Sequence, residues 1–156
     1  MSVGLFEVSE KAVVLTGAAG FFGQYFAEAL LECGACVVLL DQKEHDVLAL
    51  EESLAGRFDK NRVKAFTVDH YDIKTTGLVY LQCLRTFGGV DVLINNAFDF
   101  STKTGFNDQA GQLEVATYEQ VRASFDAGCY WAFQATQFFG AVMKRRRVGS
   151  GSIINI

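Results

Sequence analysis

The run Thr16-Gly17-Ala18-Ala19-Gly20-Phe21-Phe22-Gly23 places three glycines at intervals of three residues. It lies between an apolar, β-branched segment (11–16, KAVVLT) and a segment of helical periodicity (22–33). At a strand-to-helix turn each glycine has a separate use. Gly17 permits the sharp exit from the strand, Gly20 leaves room for a ligand's backbone, and Gly23 lets the helix pack closely. Ala19, Phe21 and Phe22 complete the turn. Unpaired N–H groups at the helix start can then grip a diphosphate, aided by the helix dipole. Asp41 closes the next apolar segment, roughly 20 residues beyond Gly17, where a carboxylate accepts hydrogen bonds from ribose hydroxyls. It would repel a 2′-phosphate, and Gln42 and Lys43 follow it, not arginine. Together these residues predict a dinucleotide site that favours NAD over NADP.

Further polar residues end later apolar segments. Asp69 and His70 follow 63–68, and Asn95-Asn96-Ala97 follows 90–94. In a doubly wound sheet all would lie at the carboxyl edge, where ligands bind. Asp69 can accept from an adenine amino group, and Asn96 can brace neighbouring backbone, although both types are also ordinary turn residues. His70 belongs to the adenine end and is not expected to be a base.

The elements that must position these residues alternate. Strands are expected at 11–16, 35–40, 63–68, 90–94 and 152–156, and helices at 22–33, 44–54 and 73–87, with one long helix from 117 to about 143. Phe22, Phe26, Ala29 and Leu30 are the expected core face of the first helix, and Val121, Phe125, Trp131, Phe138 and Val142 that of the last. Thr117 and Gln120 have capping-box spacing. Residues 97–116 read as a long polar loop in which Phe98, Phe100 and Phe106 could line an apolar pocket or pack in the core. The pattern is a single α/β domain over 1–156: a Rossmann-like doubly wound parallel sheet in three layers, strand order 3-2-1-4-5.

Composition narrows the function classes. Half the residues are hydrophobic and the net charge is −4. Neither nucleic acid nor an anionic membrane is an expected partner. The basic cluster Lys144-Arg145-Arg146-Arg147 suits a helix C-terminus. No segment reaches the roughly 20 apolar residues of a membrane span, and residues 1–11 lack the form of a secretory leader. Cys33, Cys36, Cys83 and Cys129 form no metal pattern. Cys33 and Cys36 flank Gly34 after a helix rather than opening one, so structural thiols in a reducing cytoplasm are expected.

TGAAGFFG, the strand-ending Asp41, VDH, VDVLINNA, the long helix and GSIINI together resemble the short-chain dehydrogenase/reductase family across essentially the whole chain. The resemblance implies hydride transfer between NAD(P) and an alcohol or carbonyl. It assigns the turn to Gly17, Ala19, Phe22 and their neighbours, adenosine contacts to Asp41, Asp69 and His70, and the inner ribose side to Asn96 and Ala97. AGCYWAFQATQFFGAVM is similar to members linked to surface-glycan and flagellin-sugar biosynthesis.

The chain departs from the family pattern in four places. Its glycine spacing is TGxxGxxG. Phe98 stands where the family has glycine after NNA. Gly128 stands where a helix asparagine normally holds a proton-relay water. The family's catalytic Ser and Tyr-x-x-x-Lys would follow Ile156, and none of the five tyrosines here has lysine four residues on. The expectation is an N-terminal part of a longer oxidoreductase, itself without catalytic residues and inactive alone. The dimer-packing helix that the family implies would follow too, so homo-oligomers are expected of a longer form. The alternative is a non-catalytic NAD-binding or scaffolding protein.

Overall fold

A computed structural model describes residues 8–145 and 151–156. Five parallel strands form one sheet: β1 (Ala12–Thr16), β2 (Cys36–Asp41), β3 (Val63–Thr67), β4 (Val92–Asn95) and β5 (Ser152–Asn155). Their order is β3-β2-β1-β4-β5, as expected. In register, Val14 sits between Val38 and Leu93, so the central strand is apolar on both faces. Helices α1 (Phe21–Glu32) and α2 (Glu44–Ala55) contribute Ala27, Leu31, Val47 and Leu54 to the core on one face. Helices α3 (Ile73–Thr86) and α5 (Trp131–Arg145) contribute Tyr80, Cys83, Ala135 and Phe139 on the other. These are the three expected layers.

Two helical faces differ from expectation. α1 turns Gly23, Ala27 and Leu31 inward and leaves Phe22 exposed, with Phe26 and Leu30 only partly buried. Small residues on the sheet side let the helix sit close, and the rings are left at its rim. The expected single helix after Thr117 is broken. α4 (Tyr118–Phe125) passes through a π turn (Asp126–Tyr130) into α5. Ala123, Ala127, Trp131, Ala135, Phe139 and Met143 make the buried stripe, while Val121 and Phe125 face outward. The alanines are too short to advertise that stripe, and the larger exposed rings mimicked one. The capping box at Thr117 and Gln120 is formed.

Lys144 and Arg145 end α5 as expected. Arg146 and Arg147 lie outside the described residues, as do residues 1–7 of the segment read for a leader. No helix among the described residues is long and apolar enough to cross a membrane. The four cysteines are free, with Cys83 buried.

Candidate functional site

β1, β2 and β4 all end on one crevice of about 660 Å3. The turn after β1 forms its floor. Gly17 has φ +65°, and a Cβ there would lie 2.8 Å from Ala97 Cα. Only glycine adopts that conformation at so close an approach without strain. Gly20 lines the crevice directly. Gly23 sits beneath it, where a Cβ would fall 2.2 Å from the Gly17 carbonyl oxygen. Gly23 therefore brings α1 close to the turn itself, a nearer partner than the sheet. No side chain caps α1, and its first turn contains no acidic residue. Its leading N–H groups, which a helix cannot satisfy internally, belong to residues at the crevice wall, Phe21 and Phe22 among them.

Asp41 stands at the end of β2. Its Oδ2 accepts from the Ala19 N–H (3.0 Å) and its Oδ1 from the Lys43 N–H (3.1 Å). The carboxylate thus links the glycine turn to the second strand and remains partly exposed on the crevice. β4 delivers Asn96, whose Nδ2 donates to the carbonyls of Thr16 (3.2 Å) and Gly17 (3.0 Å). This is the backbone bracing its position suggested. Thr16 Oγ1 accepts from the N–H groups of Asn96 and Ala97 (3.0 and 3.1 Å). Nothing in the local sequence marks Thr16 for this role, because its hydroxyl acts on backbone far along the chain.

Gly17, Ala19, Gly20, Phe21, Phe22, Asp41 and Asn96 share the crevice. Asp69, His70 and Ala97 do not line it. Asp69 is exposed at the end of β3, and its Oδ1 accepts the Tyr71 N–H (2.9 Å). His70 is buried, with its ring stacked on Trp131 at 5.1 Å. Burial holds its imidazole down at about 4, against the opposing pull of Asp69. His70 is therefore neutral at pH 7.

The loop after β4 supplies a wall that the sequence left open. Phe98, Phe100 and Phe106 pack ring to ring, with centroids 4.9 to 5.5 Å apart, and all three line the crevice. Asp99 lies between them, buried, and accepts from the Tyr71 hydroxyl (2.8 Å) and the Ser101 N–H (2.8 Å). Burial alone would raise the Asp99 carboxyl, but these bonds and the Lys103 charge hold it below the usual range. Burial, then the bond to Asp99, push the Tyr71 hydroxyl well above its ordinary value. It stays protonated near neutrality, its hydrogen held by Asp99. Asp99 and Tyr71 escaped sequence reasoning, although Asp99-Phe100-Ser101 has the form of an Asx turn. No cluster of metal-ligating side chains occurs among the described residues.

The parallel order β3-β2-β1-β4-β5, with a glycine turn after β1 and a carboxylate ending β2, defines a Rossmann-like doubly wound α/β fold. The sequence profile of the short chain dehydrogenase family matches residues 11–156, and the chain belongs to that family. It is 29% identical over 153 residues to a trans-4-hydroxycyclohexanecarboxylate dehydrogenase from Sinomonas cyclohexanicum, covering 96% of this chain and 55% of that one. Over 92 residues it is 35% identical to an NAD-dependent glycerol dehydrogenase from Listeria innocua, covering 59% of this chain and 34% of the relative. A short-chain dehydrogenase from Streptomyces avermitilis superposes with a TM-score of 0.77 at 28% identity, covering 94% of this chain and 48% of that one. The Brucella melitensis glucose/ribitol dehydrogenase of the same class reaches a TM-score of 0.79 at 21% identity, a likeness of fold. That match covers 96% of this chain and 57% of the other. The chain thus spans between a third and somewhat over half the length of these relatives.

Proposed function

We propose that the crevice binds NAD(H), in preference to NADP(H), as the cofactor part of an oxidoreductase acting on an alcohol or carbonyl compound. One observation carries the reading. The uncapped start of α1, the close-packed Gly17–Gly20 turn and the Asp41 carboxylate converge on a single crevice. A diphosphate suits the first two, because N–H groups and the helix dipole favour an anion where no Cβ intrudes. A ribose diol suits the third, because a carboxylate accepts two hydroxyl hydrogen bonds and disfavours a phosphate in their place. Relatives named for NAD and for hydroxy compounds support the same direction.

Asp69 and the backbone at His70 are assigned the adenine flank, and Asn96 and Ala97 the inner ribose side. When bound, the nicotinamide gives or takes a hydride. This chain's residues grip and orient it. None of the 156 residues supplies the family's Ser or Tyr-x-x-x-Lys, and Tyr71 is committed to Asp99. Binding without turnover is therefore the proposed property of these 156 residues. The similarity of 127–143 to members of glycan-biosynthesis pathways has no counterpart among the relatives named above. An NMR titration tests the binding. NAD should shift the amides of Gly17, Ala19, Gly20 and Phe22 together, and shifts confined to other regions would remove the crevice from consideration.

A further inference from the structure

The crevice continues inward. Behind Asn96, a cavity of about 90 Å3 is lined by His70, Asn95, Gly128 and Trp131, and shares Asn96, Phe98 and Ile156 with the crevice. Two of its lining residues carry a buried side-chain atom with no hydrogen-bond partner among the described residues: His70 Nε2 and Asn95 Oδ1. Both residues are more than nine-tenths buried. Orphaned polar atoms at such depth are uncommon and call for a partner.

The other end of each side chain is already fixed. Asn95 Nδ2 donates to Asn155 Oδ1 (2.8 Å) and Thr136 Oγ1 (3.3 Å). Turning the amide over would set its oxygen against the Asn155 oxygen. His70 Nδ1 lies 3.4 Å from the Tyr80 hydroxyl, itself fully buried with no other hydrogen bond among the described residues. A phenol whose one partner is an imidazole nitrogen donates to it, since accepting would strand its own hydrogen. That leaves Nε2 as the N–H of a neutral ring. Two residues that line the cavity therefore carry one unpaired donor and one unpaired acceptor.

We infer that this cavity is a resident water site, in which ordered water links the His70 Nε2–H donor to the Asn95 Oδ1 acceptor at the inner end of the crevice. The cavity, at about 90 Å3, is roomy enough for ordered water, which needs only ~10–15 Å3 of such space. Apolar cavities stay dry, but this one has polar partners at hand. Gly128 borders the site without contributing a side chain. The hydrogen bonds that an asparagine there would offer to water come instead from β4 and from the residues after β3. This inference goes beyond the cofactor reading and stands without it.

Water-to-amide Overhauser spectra of the 156-residue chain, with imidazole nitrogen shifts and xenon titration, test the site. Long-lived water should appear at the Ala97 and Gly128 amides, His70 should be the neutral Nε2–H tautomer, and xenon should not enter. His70→Gln, which keeps an N–H donor, should retain the water signals, and His70→Phe should lose them. Absence of long-lived water in the wild type, xenon uptake by this cavity, or an Nδ1–H tautomer would overturn the inference. If His70→Phe does not fold, the wild-type spectra still decide.

Discussion

Gly128 faces Phe98. A Cβ built on Gly128 would lie 3.4 Å from Phe98 Cε2 and 3.8 Å from its Cδ2. Each residue breaks the family pattern, aromatic for glycine after NNA and glycine for asparagine in the helix. Their contact makes the two departures one packing arrangement. The Phe98 ring, held by Phe100 and Phe106, reaches the π turn that Gly128 leaves bare. A Cβ at 128 would only touch the ring, so it is the outer atoms of an asparagine there that would compete with Phe98 for space, and removing the ring should relieve that. In a double-mutant cycle by urea unfolding, Phe98→Gly and Gly128→Asn should be less destabilising together than the sum of the single changes, by about 1 kcal/mol. Simple additivity would show that the two departures are independent.

The glycine turn separates fold from binding. Gly17→Ala forces a side chain onto φ +65° and into Ala97, a strain of about 1–3 kcal/mol that unfolding measurements should register. Gly20→Ala meets only the Gly17 carbonyl oxygen, at 3.2 Å, and should stay within about 1 kcal/mol of wild type. It nevertheless places a methyl on the crevice floor, so NAD titration should weaken. A Gly20→Ala protein that binds NAD normally would contradict the place given to the diphosphate.

His70 ties stability to pH. Its folded value near 4 lies below the ordinary histidine value of 6.5, so protonation favours unfolding. The contribution is complete above pH 6.5, declines as pH falls from there, and is gone near 4. Over that window it amounts to about 3 kcal/mol, at ~1.36 kcal/mol per pH unit. His70→Gln should flatten that stretch of the stability–pH profile. An unchanged slope would place the histidine in solvent.

Much of the fold was legible in the sequence because strands covered on both faces are continuously apolar and their connections are right-handed. KAVVLT, ACVVLL and VDVLI could hardly be anything else, and their order followed. The glycine turn and Asp41 were legible because both act within one βαβ unit. The buried stripe that runs from α4 through the π turn into α5 was not. Alanine at 123, 127 and 135 carries almost no hydrophobic signal, while Val121 and Phe125 carry a misleading one. The Asp99–Tyr71 bond and the Thr16 hub were equally hidden, since each joins residues far apart in sequence through a single oxygen.

The proposed lack of turnover has its own readout. With NADH and a panel of aldehydes and ketones, the 156-residue chain should oxidise no more cofactor than buffer does. Turnover abolished by Asp41→Ala would mean that another proton donor serves in this chain.

Calorimetric titration with NAD and NADP, on the wild type and on Asp41→Ala, bears most directly on the crevice and its carboxylate. NAD should bind the wild type more tightly than NADP. Loss of hydrogen bonds to a charged group costs about 1.5–3 kcal/mol, so Asp41→Ala should weaken NAD roughly ten- to a hundredfold and narrow the gap between the two nucleotides. Tighter binding of NADP by the wild type, or unaltered NAD affinity in Asp41→Ala, would contradict the assignment of Asp41 to the adenosine ribose.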